Sequence, residues 1–261
     1  MSIMTVEGSA TEGASADWAP PPVWRELRYS AELLRLLSDS RLRAPRRCVD
    51  GSPVLLIPGF MAGDASLAVM RRWLRRRGHE VATSGILANV DCAGRALGRL
   101  EERLERFAEG CGRAVTLVGQ SRGGTFARAL AVRRPDLVSA LVMLGSPVRD
   151  GLAVSAPVLR TVRWVAWLGD RGLPGVLSTE CGEGDCCAGF QTDLTAPLAP
   201  SVSALSMYSR SDGIVDWRTC VDTHAPSVEI DSSHCGMSVH PAVYRELEQM
   251  LDAPALERIA A

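Results

Sequence analysis

The chain has 261 residues, 46% of them hydrophobic, enough to bury a sizeable core in one α/β domain with a small insertion. Its 29 basic and 30 acidic side chains leave a formal net charge of −1, without the positive excess that phosphate backbones select for, so no nucleic-acid partner is expected. All the basic residues are arginine, which removes lysine nucleophiles and Schiff bases from consideration.

Residues 1–20 read as a disordered leader. Met1–Asp17 is polar, with neither the basic start nor the apolar run of an export signal. No stretch reaches the roughly 18 consecutive apolar residues of a membrane span, so a cytoplasmic protein with no integral membrane segment is expected. Residues 21–52 read as a helix over 23–37 followed by a charged linker at 41–50.

Val54–Ile57, between two prolines, suits a buried parallel strand, and Pro58-Gly59-Phe60-Met61 forms the loop at its carboxyl end. Asp64 or Ser66 is placed to cap a helix that Gly78 stops, and the arginine run 71–77 reads as its solvated face. Further strands are expected at 80–83, 114–118, 138–144, 203–208 and 228–231. Helices are expected at 91–109, 122–133 and 241–251, the first ended by Gly110 and Gly112. This alternation implies a doubly wound, mostly parallel α/β sheet that binds its ligand at the carboxyl ends of the strands. The alternation lapses over about 149–200, which reads as a cap inserted after a sixth strand.

Within Val115–Gly124 a run of β-formers ends in Gly119-Gln120-Ser121-Arg122-Gly123, a G-x-S-x-G turn that presents one hydroxyl between a strand and a helix. On this motif and the elements around it, residues 53–261 resemble the α/β-hydrolase superfamily, and its lipase and esterase branch in particular. The resemblance implies a Ser-His-Asp triad that forms an acyl-enzyme and needs no cofactor, acting on a small-molecule ester. Its chain order assigns Ser121 as nucleophile, Asp212 as acid and His234 as base. Asp216 is better placed to cap the next turn, and Asp231 to stiffen the histidine loop; His79, His224 and His240 lack the expected position.

The same resemblance puts the oxyanion donors on the backbone N–H groups of Phe60 and Arg122, with Met61 as the next candidate. Met61, Trp164, Trp167 and Phe190 are expected at the pocket, favouring an apolar acyl chain. An acyltransferase or thioesterase would use the same triad, and a non-catalytic binding protein of this fold is the alternative of a different class. Cys48, Cys92 and Cys111 read as isolated residues. Cys181, Cys186, Cys187, Cys220 and Cys235 lack C-x-x-C pairs, so no metal is expected, and a cap cysteine is expected close to Cys220 or Cys235.

Overall fold

Every position of Pro53–Ile57 is buried, and a strand buried on both faces belongs inside a parallel sheet covered by helices. The computed structural model describes residues 18–43, 51–183 and 185–252 and places that strand accordingly. Strands β1 (Pro53–Ile57), β2 (Glu80–Thr83), β3 (Val115–Gln120), β4 (Val138–Leu144), β5 (Ser203–Tyr208) and β6 (Ser227–Glu229) form one sheet in the order β2-β1-β3-β4-β5-β6. All neighbouring pairs are parallel, with Leu55 beside Leu117 and Leu117 beside Leu141. The chain leaves β1 toward β2 and returns to β3 on the other side. A crevice therefore opens beyond the ends of β1 and β3.

The helices are α1 (Arg28–Ser38), α2 (Ser40–Arg43), α3 (Ala68–Arg77), α4 (Ala93–Cys111), α5 (Arg122–Arg133), α6 (Ala156–Asp170), α7 (Glu180–Glu183), α8 (Ala188–Thr195) and α9 (Pro241–Asp252). Successive strand residues point to opposite faces. Leu55, Ile57, Leu117 and Met143 thus pack with Leu97 and Leu100 of α4, Phe126 of α5 and Phe190 of α8. Val54, Leu56, Val118 and Val142 pack with Leu36 of α1, Trp73 of α3 and Tyr244 of α9. A buried ion pair, Arg128 Nε to Asp222 Oδ2 at 2.5 Å, ties α5 to the connection between β5 and β6.

Several boundaries differ from the expected ones for local reasons. The N-terminal helix opens as a 3-10 turn, Val23–Leu27. A second 3-10 turn, Asp64–Leu67, precedes α3. Neither Asp64 nor Ser66 caps α3: the Asp64 carboxylate accepts from Ser84 N at 3.1 Å and Gly85 N at 2.8 Å, and Ser66 Oγ donates to Gly63 O. Gly78 does stop α3, at φ 99°, whereas α4 continues through Gly110 and ends at Gly112, φ 62°. The arginine run is outward-facing at Arg72, Arg75 and Arg76. Arg77 corrects that reading, because it is buried, lies over the Trp73 ring and pairs with Glu248 and Asp252 of α9.

The irregular segment holds α6, α7 and α8 and follows the fourth strand, β4, not a sixth, because the described chain ahead of β1 is helical. The expected leader lies outside the described residues up to residue 17, as does the expected linker from residue 44, with Cys48 in it. No helix among the described residues is long and apolar enough to cross a membrane.

Candidate active site

Strand β3 ends at Gln120 and α5 begins at Arg122, leaving Ser121 alone on the turn at φ 53° and ψ −126°. A non-glycine residue there is strained by about 1–3 kcal/mol, so the surroundings must enforce it. They do so by crowding. A Cβ on Gly119 would lie 2.4 Å from Gly123 O, and one on Gly123 would lie 2.2 Å from Ile57 O. The glycine spacing is thus a packing requirement among β1, β3 and α5.

His234 follows β6 at the entry to the 3-10 turn Cys235–Val239 and is 5% exposed. Its Nδ1 is 2.6 Å from Asp212 Oδ2. The other oxygen of Asp212 accepts from Ile214 N and Val215 N, each at 2.8 Å, so the carboxylate cannot swing away. Asp216 instead caps the turn Trp217–Cys220 by accepting from Arg218 N. Asp231 accepts from Ser211 Oγ at 2.8 Å and from Arg28, tying the N-terminal helix to this edge of the sheet. Of the three aspartates weighed, the structure brings Asp212 to the histidine.

Burial by itself would lower the His234 pKa. The Asp212 charge and hydrogen bond, with the Glu26 charge, outweigh it and leave the pKa above the ordinary 6.5. The Nε2 atom of His234 makes no hydrogen bond among the described residues. A cavity of about 870 Å³ is lined by Ser121 and His234 together, with Gly59, Phe60, Met61, Arg122 and Phe190. A Cβ on Gly59 would lie 3.2 Å from Ser121 Cβ, so the loop after β1 rests against the serine.

Asn89 holds that loop from the far side. Its Nδ2 donates to Pro58 O at 2.8 Å, and its carbonyl accepts from Met61 N at 3.1 Å. The Met61 amide is therefore occupied. The Arg122 guanidinium, which sequence left without a task, donates to Asn89 O and Oδ1 at 3.2 Å each and to Asp91 O at 2.5 Å. The residue after the serine thus braces the loop that faces the serine.

Two expected pocket residues are corrected. Trp164 and Trp167 are 56% and 46% exposed and do not line the cavity, since α6 turns Val158, Thr161 and Val162 inward at helical spacing and carries the tryptophans outward. Phe190 does line it, packed edge-on against Phe126. The cap cysteines meet a partner that the sequence reading did not foresee: Cys186 and Cys187 lie beside Cys92, while Cys181 and Cys187 line the same cavity as Cys235.

The residues that sequence missed come largely from the N-terminal helices. Glu26 accepts from His234 N at 3.1 Å, Cys235 N at 2.9 Å and Gly213 N at 3.2 Å. Glu32, 1% exposed, accepts from Ser233 N at 2.9 Å and Ser233 Oγ at 2.7 Å. From within the motif, Gln120 Nε2 donates to His234 O at 3.2 Å. No local pattern marks these residues, because the carboxylates meet the histidine loop across more than 200 residues of chain.

No family model matches the sequence, and no curated protein matches it either. Solved structures do. The mature lipase BlEst2 of Bacillus licheniformis superposes with a TM-score of 0.60 at 14% identity, over 80% of this chain and 95% of that one. A metagenomic carboxyl esterase gives 0.61 at 12% identity, over 92% and 97%. A soluble variant of monoglyceride lipase from Saccharomyces cerevisiae gives 0.56 at 15%, over 78% and 87%. With its parallel six-stranded sheet, its serine turn between β3 and α5 and these neighbours, the chain has the α/β-hydrolase fold.

Proposed function

We propose that this protein hydrolyses carboxylic esters with an apolar acyl group, using Ser121 as nucleophile. The observation that carries the reading is the buried Asp212–His234 pair, whose histidine lines the same cavity as the strained Ser121. Serine is a weak nucleophile until a base takes its proton. His234 Nε2 removes the Ser121 proton as Oγ attacks the carbonyl, then delivers it to the leaving alkoxide. Asp212 keeps the other ring nitrogen protonated and offsets the imidazolium charge. The N–H groups of Phe60 and Arg122 receive the oxyanion, and water releases the acyl group by the same route reversed. The segment 149–200 acts as a cap: Val158, Val162, Leu177 and Phe190 supply apolar lining for an acyl chain. The solved relatives named as lipases and esterases support the same class of substrate.

A fluorophosphonate is expected to label Ser121 stoichiometrically, and a panel of p-nitrophenyl esters to be cleaved with kcat/KM rising as the acyl chain lengthens from acetate. Faster transfer to an added alcohol than to water would identify an acyltransferase. A folded protein that is neither labelled nor active would leave a binding role.

The base works only when neutral, so a raised His234 pKa moves the acid limb of the kcat/KM profile above pH 6.5. Glu26 contributes to that rise and is a positioning residue for the loop. Glu26→Gln is expected to shift the limb toward lower pH while lowering kcat more than it changes KM. An unmoved midpoint in the folded variant would show that Glu26 has no electrostatic part.

A further inference from the structure

Cys92 is the residue before α4, whereas Cys181, Cys186 and Cys187 belong to the segment between α6 and α8. Folding brings their sulfurs together. The Cys92–Cys187 and Cys186–Cys187 separations are 3.7 Å, Cys92–Cys186 is 3.9 Å, and all four sulfurs lie within 4.8 Å of one another. A disulfide would hold two sulfurs at about 2.05 Å. A zinc ion bound tetrahedrally at about 2.3 Å to each sulfur places them about 3.8 Å apart.

We propose that Cys92, Cys181, Cys186 and Cys187 form a closed tetrathiolate site for one Zn²⁺. Binding converts four thiols to thiolates and releases four protons, with no change of oxidation state. The site carries a net charge of about −2, and its surroundings are arranged for that charge. Cys92 and Cys187 stand at the N-termini of α4 and α8, where helix dipoles favour anions. Arg95 and Arg99 pair with Asp91, and Arg122 donates to the Asp91 carbonyl, so three guanidiniums stand against one carboxylate directly ahead of Cys92.

Contacts around the sulfurs fit a ligand set as well. Ser178 N donates to Cys181 Sγ at 3.4 Å, the kind of outer hydrogen bond that orients a thiolate ligand. Gly94 has no side chain because a Cβ there would lie 2.5 Å from Cys186 O. With four protein ligands and no open position, the zinc is structural and does not activate water. It ties α4 to the segment that covers the cavity, whose wall includes Ala93, Cys181 and Cys187. The proposal stands apart from ester hydrolysis, and its test does not depend on activity.

The full chain, expressed with zinc and purified under reducing conditions without chelator, is expected to retain about one zinc per molecule by elemental analysis. Exchange for Co²⁺ should produce an intense sulfur-to-cobalt charge-transfer band. Cys186→Ser and Cys92→Ser should lose the zinc and the band, while Cys111→Ser keeps both. Reduced wild type that holds less than about one-tenth zinc per chain and gives no such band with Co²⁺ overturns the site. So does a Cys92–Cys187 disulfide in peptides from protein purified without reductant. If Cys92→Ser fails to fold, Cys186→Ser, at an exposed position, carries the test.

Discussion

Ser121→Ala is expected to lower kcat on a p-nitrophenyl ester by a factor on the order of 10⁶, the scale seen when a serine nucleophile is removed from such a triad. The proposed route forms its acyl-enzyme on Ser121, and the chain contains no lysine that could take its place. His234→Ala should cost about as much, because a nucleophile without its base and a base without its nucleophile fail alike. The proposed oxyanion donors, the backbone N–H groups of Phe60 and Arg122, survive both changes, so a residual rate over water is expected. Stability offers an independent check. Ser121 is strained at φ 53°, and Ser121→Gly should raise the unfolding midpoint while abolishing turnover. A Ser121→Ala variant with wild-type turnover would remove the esterase reading.

Asp212→Asn is expected to lower kcat by about 10⁴. An amide can still accept from Ile214 N and Val215 N through its oxygen, so the loop keeps its shape. The group facing His234 Nδ1 then becomes an NH₂, which favours the wrong tautomer and provides no charge for the imidazolium. The same substitution removes the main raising contribution to the His234 pKa, so the acid limb of the residual activity should fall to lower pH. Asp216→Asn is the control. It touches a turn cap and should leave kcat near wild type. If Asp216→Asn were crippling and Asp212→Asn silent, the acid would be misassigned.

The parts of the site legible in sequence are those that local backbone rules determine. Glycines flanking Ser121 are needed because two backbones cross there, and that need is written into five consecutive residues. Asp212 and His234 follow strands whose apolar runs are readable, and the chain order of the family that the sequence resembles singled them out. Trp164 and Trp167 were misplaced because an apolar side chain near a pocket says nothing about which helix face it occupies. Val158 and Val162 occupy the inward face instead.

By itself, then, the sequence determined the parallel sheet and the serine turn, since hydrophobic period, glycine sterics and turn chemistry act over a few residues, while the order Ser121, Asp212, His234 was implied by the resemblance to the α/β-hydrolases. Only the tertiary structure decided which aspartate meets His234, that Glu26 and Glu32 hold the histidine loop, that Arg122 braces Asn89, and that Cys92 joins Cys181, Cys186 and Cys187. Those contacts join residues tens to hundreds of positions apart. Their partners are chosen by how the layers pack, and no local pattern encodes that choice.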